Sequence, residues 1–114
     1  MKNKILKVLN TKKDVSFVEL AREVEGFCGE SDMSQFVNQN VVFWGKMSSE
    51  AISAISELRS ENLIRFDHTS KNIYSIDGLT LDLPLCEGPD PKEMSWLPVV
   101  INMANARVHV LFMW

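Results

Sequence analysis

Apolar positions recur along this 114-residue chain in two periods, one helical and one alternating. Residues 3–10 put Ile5, Leu6 and Leu9 on one side and lysines on the other, which predicts a short first helix. In "VSFVELAREVEGF", Ser16 stands three residues before Glu19, the spacing at which each side chain caps the other's free amide. Phe17, Leu20, Ala21 and Val24 then repeat at helical spacing, and Gly26 ends the helix. Val15, just before the cap, is a candidate one-residue bridge to a sheet. Residues 27–46 are less regular. Asp32 is placed to cap a short helix carrying Met33, Phe36 and Val37, "NQN" reads as a turn, and "VVFW" reads as a buried strand or an apolar lead-in. Phe43 and Trp44 are assigned to the core.

A third helix is predicted over 48–62. At about 100° per residue, Ala51, Ile55, Leu58 and Asn62 share one side. Ser49, Ser53, Ser56 and Ser60 form a stripe on the opposite side, and Glu50, Glu57 and Glu61 run along one flank of it. "LIRFDH-TSKN-IYSI" alternates apolar and polar residues about a four-residue turn, which predicts a β-hairpin, and "LTLDL" after Asp77-Gly78 offers a third strand. "PLCEGPDPKEMS" reads as a surface linker. In "WLPVVINMANARVHVLFMW", Leu97, Val100, Ile101, Ala104, Val108, Leu111 and Phe112 line up as a helix. Strands at 99–102 and 107–112 about "MANA" are the alternative, and the β-branched residues favour it. The expected organisation is therefore a domain over 1–83, a linker over 84–95 and an apolar C-terminal element over 96–114 that packs back or dimerises.

The net charge of −3 does not favour a nucleic-acid partner, but its distribution is uneven. Residues 1–13 carry +5, residues 14–46 carry −4, and the two remaining segments, 47–78 and 79–114, carry −2 each. Cys28 and Cys86 are isolated thiols with no disulfide framework, and the N-terminus lacks the apolar run of a signal peptide. Asn102, Asn105, Arg107 and His109 interrupt the apolar tail, against a membrane span. A cytoplasmic protein is the expectation.

The short first helix, the capped helix "SFVELAREVEG", the helix "SSEAISAISELRSENL" and the hairpin "LIRFDHTSKNIYSI" together resemble the winged helix-turn-helix superfamily over about residues 3–78. The resemblance implies an α/β (α+β) fold with a three-helix core, a β-hairpin wing and, here, an apolar C-terminal hairpin or helix. It also implies duplex DNA binding by the third helix, wing contacts to the backbone, and dimerisation through a terminal element. Two features depart from the superfamily. About twenty residues separate the second and third helices, where a few are usual. The third helix offers serines where base readers bring Arg, Lys, Asn or Gln.

No phosphate-binding glycine loop, zinc-protease motif or nucleophile elbow is present, and Cys28, His68, Cys86 and His109 are not paired at ligand spacing. His68 is expected at an exposed turn. No enzyme activity, metal or cofactor is expected. The candidate DNA contacts are Ser49, Ser53, Ser56 and Arg59 on the third helix. Lys2, Lys4, Lys7, Lys12 and Lys13 at the N-terminus, with Arg65 and Lys71 on the wing, would meet phosphates. Val108, Val110, Leu111, Phe112 and Trp114 are the candidate dimer contacts. Glutamates beside the serine stripe oppose phosphate by about 1 kcal/mol per close pair in wet surroundings, so a protein partner on that face is the alternative.

Overall fold

The computed structural model describes residues 1–104. In chain order its elements are α1 (Lys2–Thr11), α2 (Phe17–Glu23), β1 (Cys28–Ser34), β2 (Val41–Met47), α3 (Ser49–Ser60), β3 (Ile64–His68), α4 (Lys71–Asp77), β4 (Ser95–Trp96) and β5 (Val99–Met103). They make a mixed α/β fold with two small sheets, one ordered β1–β2–β4 and one pairing β3 with β5.

The first three helices form where apolar residues recur at helical spacing. Ile5 and Leu9 are the buried stripe of α1. In α2 the Ser16 hydroxyl accepts the Glu19 amide at 3.1 Å and donates to the Asp77 carboxylate at 2.6 Å. Only half of the reciprocal cap forms, because the Glu19 carboxylate turns to Lys12 at 3.6 Å. Ser48 caps α3 through the Ala51 amide at 3.0 Å, and Ala51, Ala54, Ile55 and Leu58 point inwards.

Between α2 and α3 the chain makes an antiparallel hairpin, β1 with β2, in place of the short helix expected around Met33. The run "VVFW" decides this. Val41, Val42, Phe43 and Trp44 are all buried, so β2 is covered on both faces and needs a partner on both edges. It finds β1 on one edge and the parallel β4 on the other, with Val41 opposite Ser95 and Val42 opposite Trp96. Met33 still faces the core, while Phe36 and Val37 fall in the turn. The hairpin is built into the domain rather than appended. Ser48 donates its amide to the Phe27 carbonyl at 2.8 Å and its hydroxyl to the Gly26 carbonyl at 2.7 Å.

The hairpin expected over 64–76 does not form. Its first half is β3, but residues 71–77 are helical, and "LTLDL" makes no strand. The reason is a better partner. β5 pairs with β3 from Ile64 opposite Met103 to His68 opposite Val99. Val15 closes the other edge of β5, exchanging both backbone hydrogen bonds with Ile101 at 3.1 and 2.8 Å. A continuous apolar run such as Val99–Val100–Ile101, all buried, suits a strand flanked on both sides. Released from pairing, 71–77 winds into α4 and ends at Gly78 with φ +104, a left-handed cap that glycine adopts without penalty. The helical turn sends Tyr74 inwards. Its hydroxyl donates to the Val99 carbonyl at 2.6 Å and accepts the Phe17 amide at 3.2 Å.

Aromatic side chains join the two sheets. Phe17 stacks parallel to Trp44 at 6.4 Å and meets Phe66 edge-on at 5.7 Å. Trp44 packs on Tyr74 at 4.9 Å and Trp96 at 6.0 Å, so Trp44 is core, as is Phe43. The Trp96 indole donates to the Phe43 carbonyl at 3.2 Å. Among the described residues no buried side-chain nitrogen or oxygen lacks a hydrogen-bond partner.

Candidate interaction surface

The outward face of α3 carries Ser49, Glu50, Ser53, Ser56, Glu57 and Ser60, all exposed. It forms the floor between two walls. On one side the N-terminal turn of α1, with Met1, Lys2 and Asn3, bounds a cleft of about 370 Å³ over Glu50, Ser53 and Glu57. On the other, β1 and the β1–β2 turn bound a cleft of about 430 Å³ over Ile52 and Ser56.

Several of the cations assigned to phosphate have partners inside the molecule. Lys2 reaches Glu61 at 3.1 Å and Glu57 at 3.8 Å, on α3 itself. Lys12 pairs with Glu23 at 3.4 Å as well as with Glu19. Arg65 binds the Asp67 carboxylate at 3.0 Å and the Met103 carbonyl at 2.8 Å. The Arg59 guanidinium lies 4.0 Å above the Phe66 ring and 5.4 Å from that of Phe43, and this partial burial lowers its pKa. It covers apolar surface, and the Phe66 ring occupies one side of the guanidinium. Lys4, Lys7, Lys13 and Lys71 make no ion pair among the described residues. Lys71 opens α4, so it and Arg65 do not share a wing hairpin.

The fold does gather Lys12, Lys13 and Arg65 around one cleft of about 580 Å³, away from the serines, but Asp14 and Asp67 line it too. Asn102, nearly buried, donates to Asp14 at 2.9 Å and to Asp67 at 2.8 Å, and accepts the Asp14 amide at 2.8 Å. Two carboxylates lining the cleft oppose a phosphate there.

The β1–β2 turn projects beside α3. Phe36 is 96 % exposed and Val37 is 90 % exposed, next to Gln35 and Gln39. The turn is held from behind. Asn38 donates to Asp90 at 3.1 Å, Asn40 donates to the Pro91 carbonyl at 3.2 Å, and the Asn38 side chain accepts the Asn40 amide at 3.0 Å. Sequence reasoning put Phe36 and Val37 on the apolar side of a short helix. The signal that pointed elsewhere was the polar run "GESD" before Met33, too polar for a covered face and right for an outer strand.

His68 is exposed at the end of β3, and Cys28 is exposed while Cys86 is half-buried. No group of three or more His, Cys, Asp or Glu suited to a metal occurs among the described residues. No helix among them is long and apolar enough to cross a membrane. Val108, Val110, Leu111, Phe112 and Trp114 lie outside the described residues. Comparison with protein-family models, with curated proteins and with solved structures returns no match.

Proposed function

We propose that this chain is a winged-helix-like interaction module that docks a partner protein on the outer face of α3 and the tip of the β1–β2 hairpin. The winged-helix part rests on chain order. A single bridging residue, Val15, lies between the first two helices, and two antiparallel strands follow the third. The wing is then the long excursion over 69–98. The docking part rests on one observation, the apolar pair Phe36–Val37 held out in water beside an acidic helix face. Exposed aromatic anchors on a braced support are what protein interfaces use, since little ordering entropy remains to be lost on binding. Glu50 and Glu57, on the same helix face but towards α1 and across the floor from the anchor, favour a partner that meets the anchor with an apolar pocket and the far side of the helix with cations.

Duplex DNA is the second reading, and the lysines at 4, 7, 13 and 71, which make no ion pair among the described residues, favour it. A photo-crosslinking residue at position 36 or 53 of the full chain, expressed in its own cells, separates the two. Under the protein reading both positions capture the same polypeptide, and Glu50→Gln with Glu57→Gln reduces capture. Under the DNA reading duplex binding falls with salt by about 0.9 in log K per log salt for each phosphate neutralised. In that case Lys4→Ala, Lys7→Ala, Lys13→Ala and Lys71→Ala flatten the slope, and the glutamine changes tighten binding. Observing the second pattern without common capture sinks the protein reading.

A further inference from the structure

A third surface feature has nothing to do with α3. Between α2, the open ends of β1 and β2, and the end of α4 lies a cleft of about 520 Å³, within the usual range for small-ligand sites. Val18, Ala21, Trp44 and Leu79 supply its apolar walls, and Arg22 and Lys46 are its charged lining residues. Both charges are positive, in a chain whose net charge is −3, and no carboxylate lines the cleft. Arg22 is already oriented, because one guanidinium nitrogen donates to the Asp77 carbonyl at the end of α4. The remaining N–H groups of its planar fork stay available for a carboxylate. Lys46 is exposed and makes no ion pair among the described residues. Leu79, at 47 % exposure, keeps an apolar side chain at the rim with nothing over it.

We infer that this cleft binds a small apolar carboxylate, its hydrocarbon or aromatic body on Leu79 and Ala21 over the narrow exposed edges of the buried Trp44 and Val18, and its head group on Arg22 and Lys46. An apolar body alone would leave the two cations unused, and a bare anion would leave Leu79 and Ala21, the accessible part of the apolar walls, wet. Only a molecule with both parts satisfies the whole lining. The cleft shares no lining residue with the two beside α3, so the inference stands apart from the docking reading.

The test titrates the full chain with decanoate, decanol and acetate and follows backbone amide shifts by NMR. Decanoate should move the amides of Ala21, Cys28, Gly29, Gly78 and Leu79, and should bind about tenfold tighter than decanol, as charge-assisted contacts require. Acetate should bind far more weakly than decanoate. Arg22→Gln and Lys46→Gln should each weaken decanoate about fivefold and leave decanol unchanged. Both positions are exposed, and unchanged shifts elsewhere in each variant establish that it is folded. Equal affinity for decanoate and decanol, equal affinity for decanoate and acetate, shifts centred elsewhere, or no decanoate binding at about 1 mM would each overturn the assignment.

Discussion

Tyr74, on α4, touches α2, β2, β4 and β5 through one side chain. Its hydroxyl serves the first amide of α2 and a carbonyl of β5, and its ring lies between Trp44 and Trp96. Tyr74→Phe keeps the ring but strands a buried donor and a buried acceptor, which should cost about 1–3 kcal/mol in urea unfolding with an unchanged slope. Burial, opposed in part by the Phe17 amide and aided by the Asp77 charge, pushes the phenol above its ordinary range. Raising the folded-state value favours folding fully below the unfolded value of about 10, and that contribution is lost as pH rises through the folded value. The parent should therefore lose stability above about pH 10 more steeply than the phenylalanine variant, and parallel alkaline slopes would refute the assignment. Asn102 poses the opposite case. Its amide is the donor shared by Asp14 and Asp67, so Asn102→Asp replaces a bond to each by a third negative charge. A loss of about 3 kcal/mol or more at pH 7 is expected in the same assay, and a loss under 1 kcal/mol would mean the carboxylates swing out to water.

At the scale of elements, the hairpin between α2 and α3 is a fixed part of the domain. A Cβ on Gly29 would lie 2.5 Å from the Ser48 Cα and 2.8 Å from the Met47 carbonyl oxygen, so backbone would have to move. Gly29→Ala should cost about 2–3 kcal/mol in thermal or urea unfolding. An unaffected variant would show that β1 detaches freely from the start of α3. That hairpin is also where sequence reading diverged from the structure. Helices α1, α2 and α3 were legible because their apolar stripes, and for α2 the Ser16 cap, are local signals. The strand at "VVFW" was one of two readings its apolar run left open, and the bridge at Val15 was offered by its place just before the cap. The pairing of β3 was not, since the competing strands 73–76 and 99–103 both follow it and local pattern cannot rank them. What ranks them is burial from both sides, which Val99, Val100 and Ile101 satisfy and the exposed Ile76 does not. At the candidate site, the serine and glutamate face of α3 could be read from the helical wheel. The ion pairs that occupy Lys2, Lys12 and Arg65 could not, because each depends on which elements pack together. Phe36 and Val37 were misread because an apolar pair has the same appearance in sequence whether it is covered or held out.

For the whole molecule, the telling fact is that the strand β5 is paired with residues far back in the sequence. β5 ties to Val15 through Ile101, and Asn102 ties to Asp14 across a separation of 88 residues. Folding therefore cannot close until 99–103 has arrived, a non-local arrangement that favours slow folding. A chain ending at Ala104 keeps every described element, whereas one ending at Met94 loses both β4 and β5. The first should unfold cooperatively in urea, within about 1 kcal/mol of the full chain. The second should show no transition, because β3 and Val15 would be left with exposed edges and the Tyr74 hydroxyl without its acceptor. The same pair of chains tests self-association, which we propose for the end of the element expected over 96–114, through Val108, Val110, Leu111, Phe112 and Trp114. By light scattering the full chain should have twice the monomer mass, and the chain ending at Ala104 should be a monomer. Dimers of the shorter chain would move the contact to the exposed Phe36–Val37 face, where Phe36→Ser should then dissociate them. A full chain that stays monomeric at high concentration would end the dimer reading and leave the acidic face of α3 for a different protein.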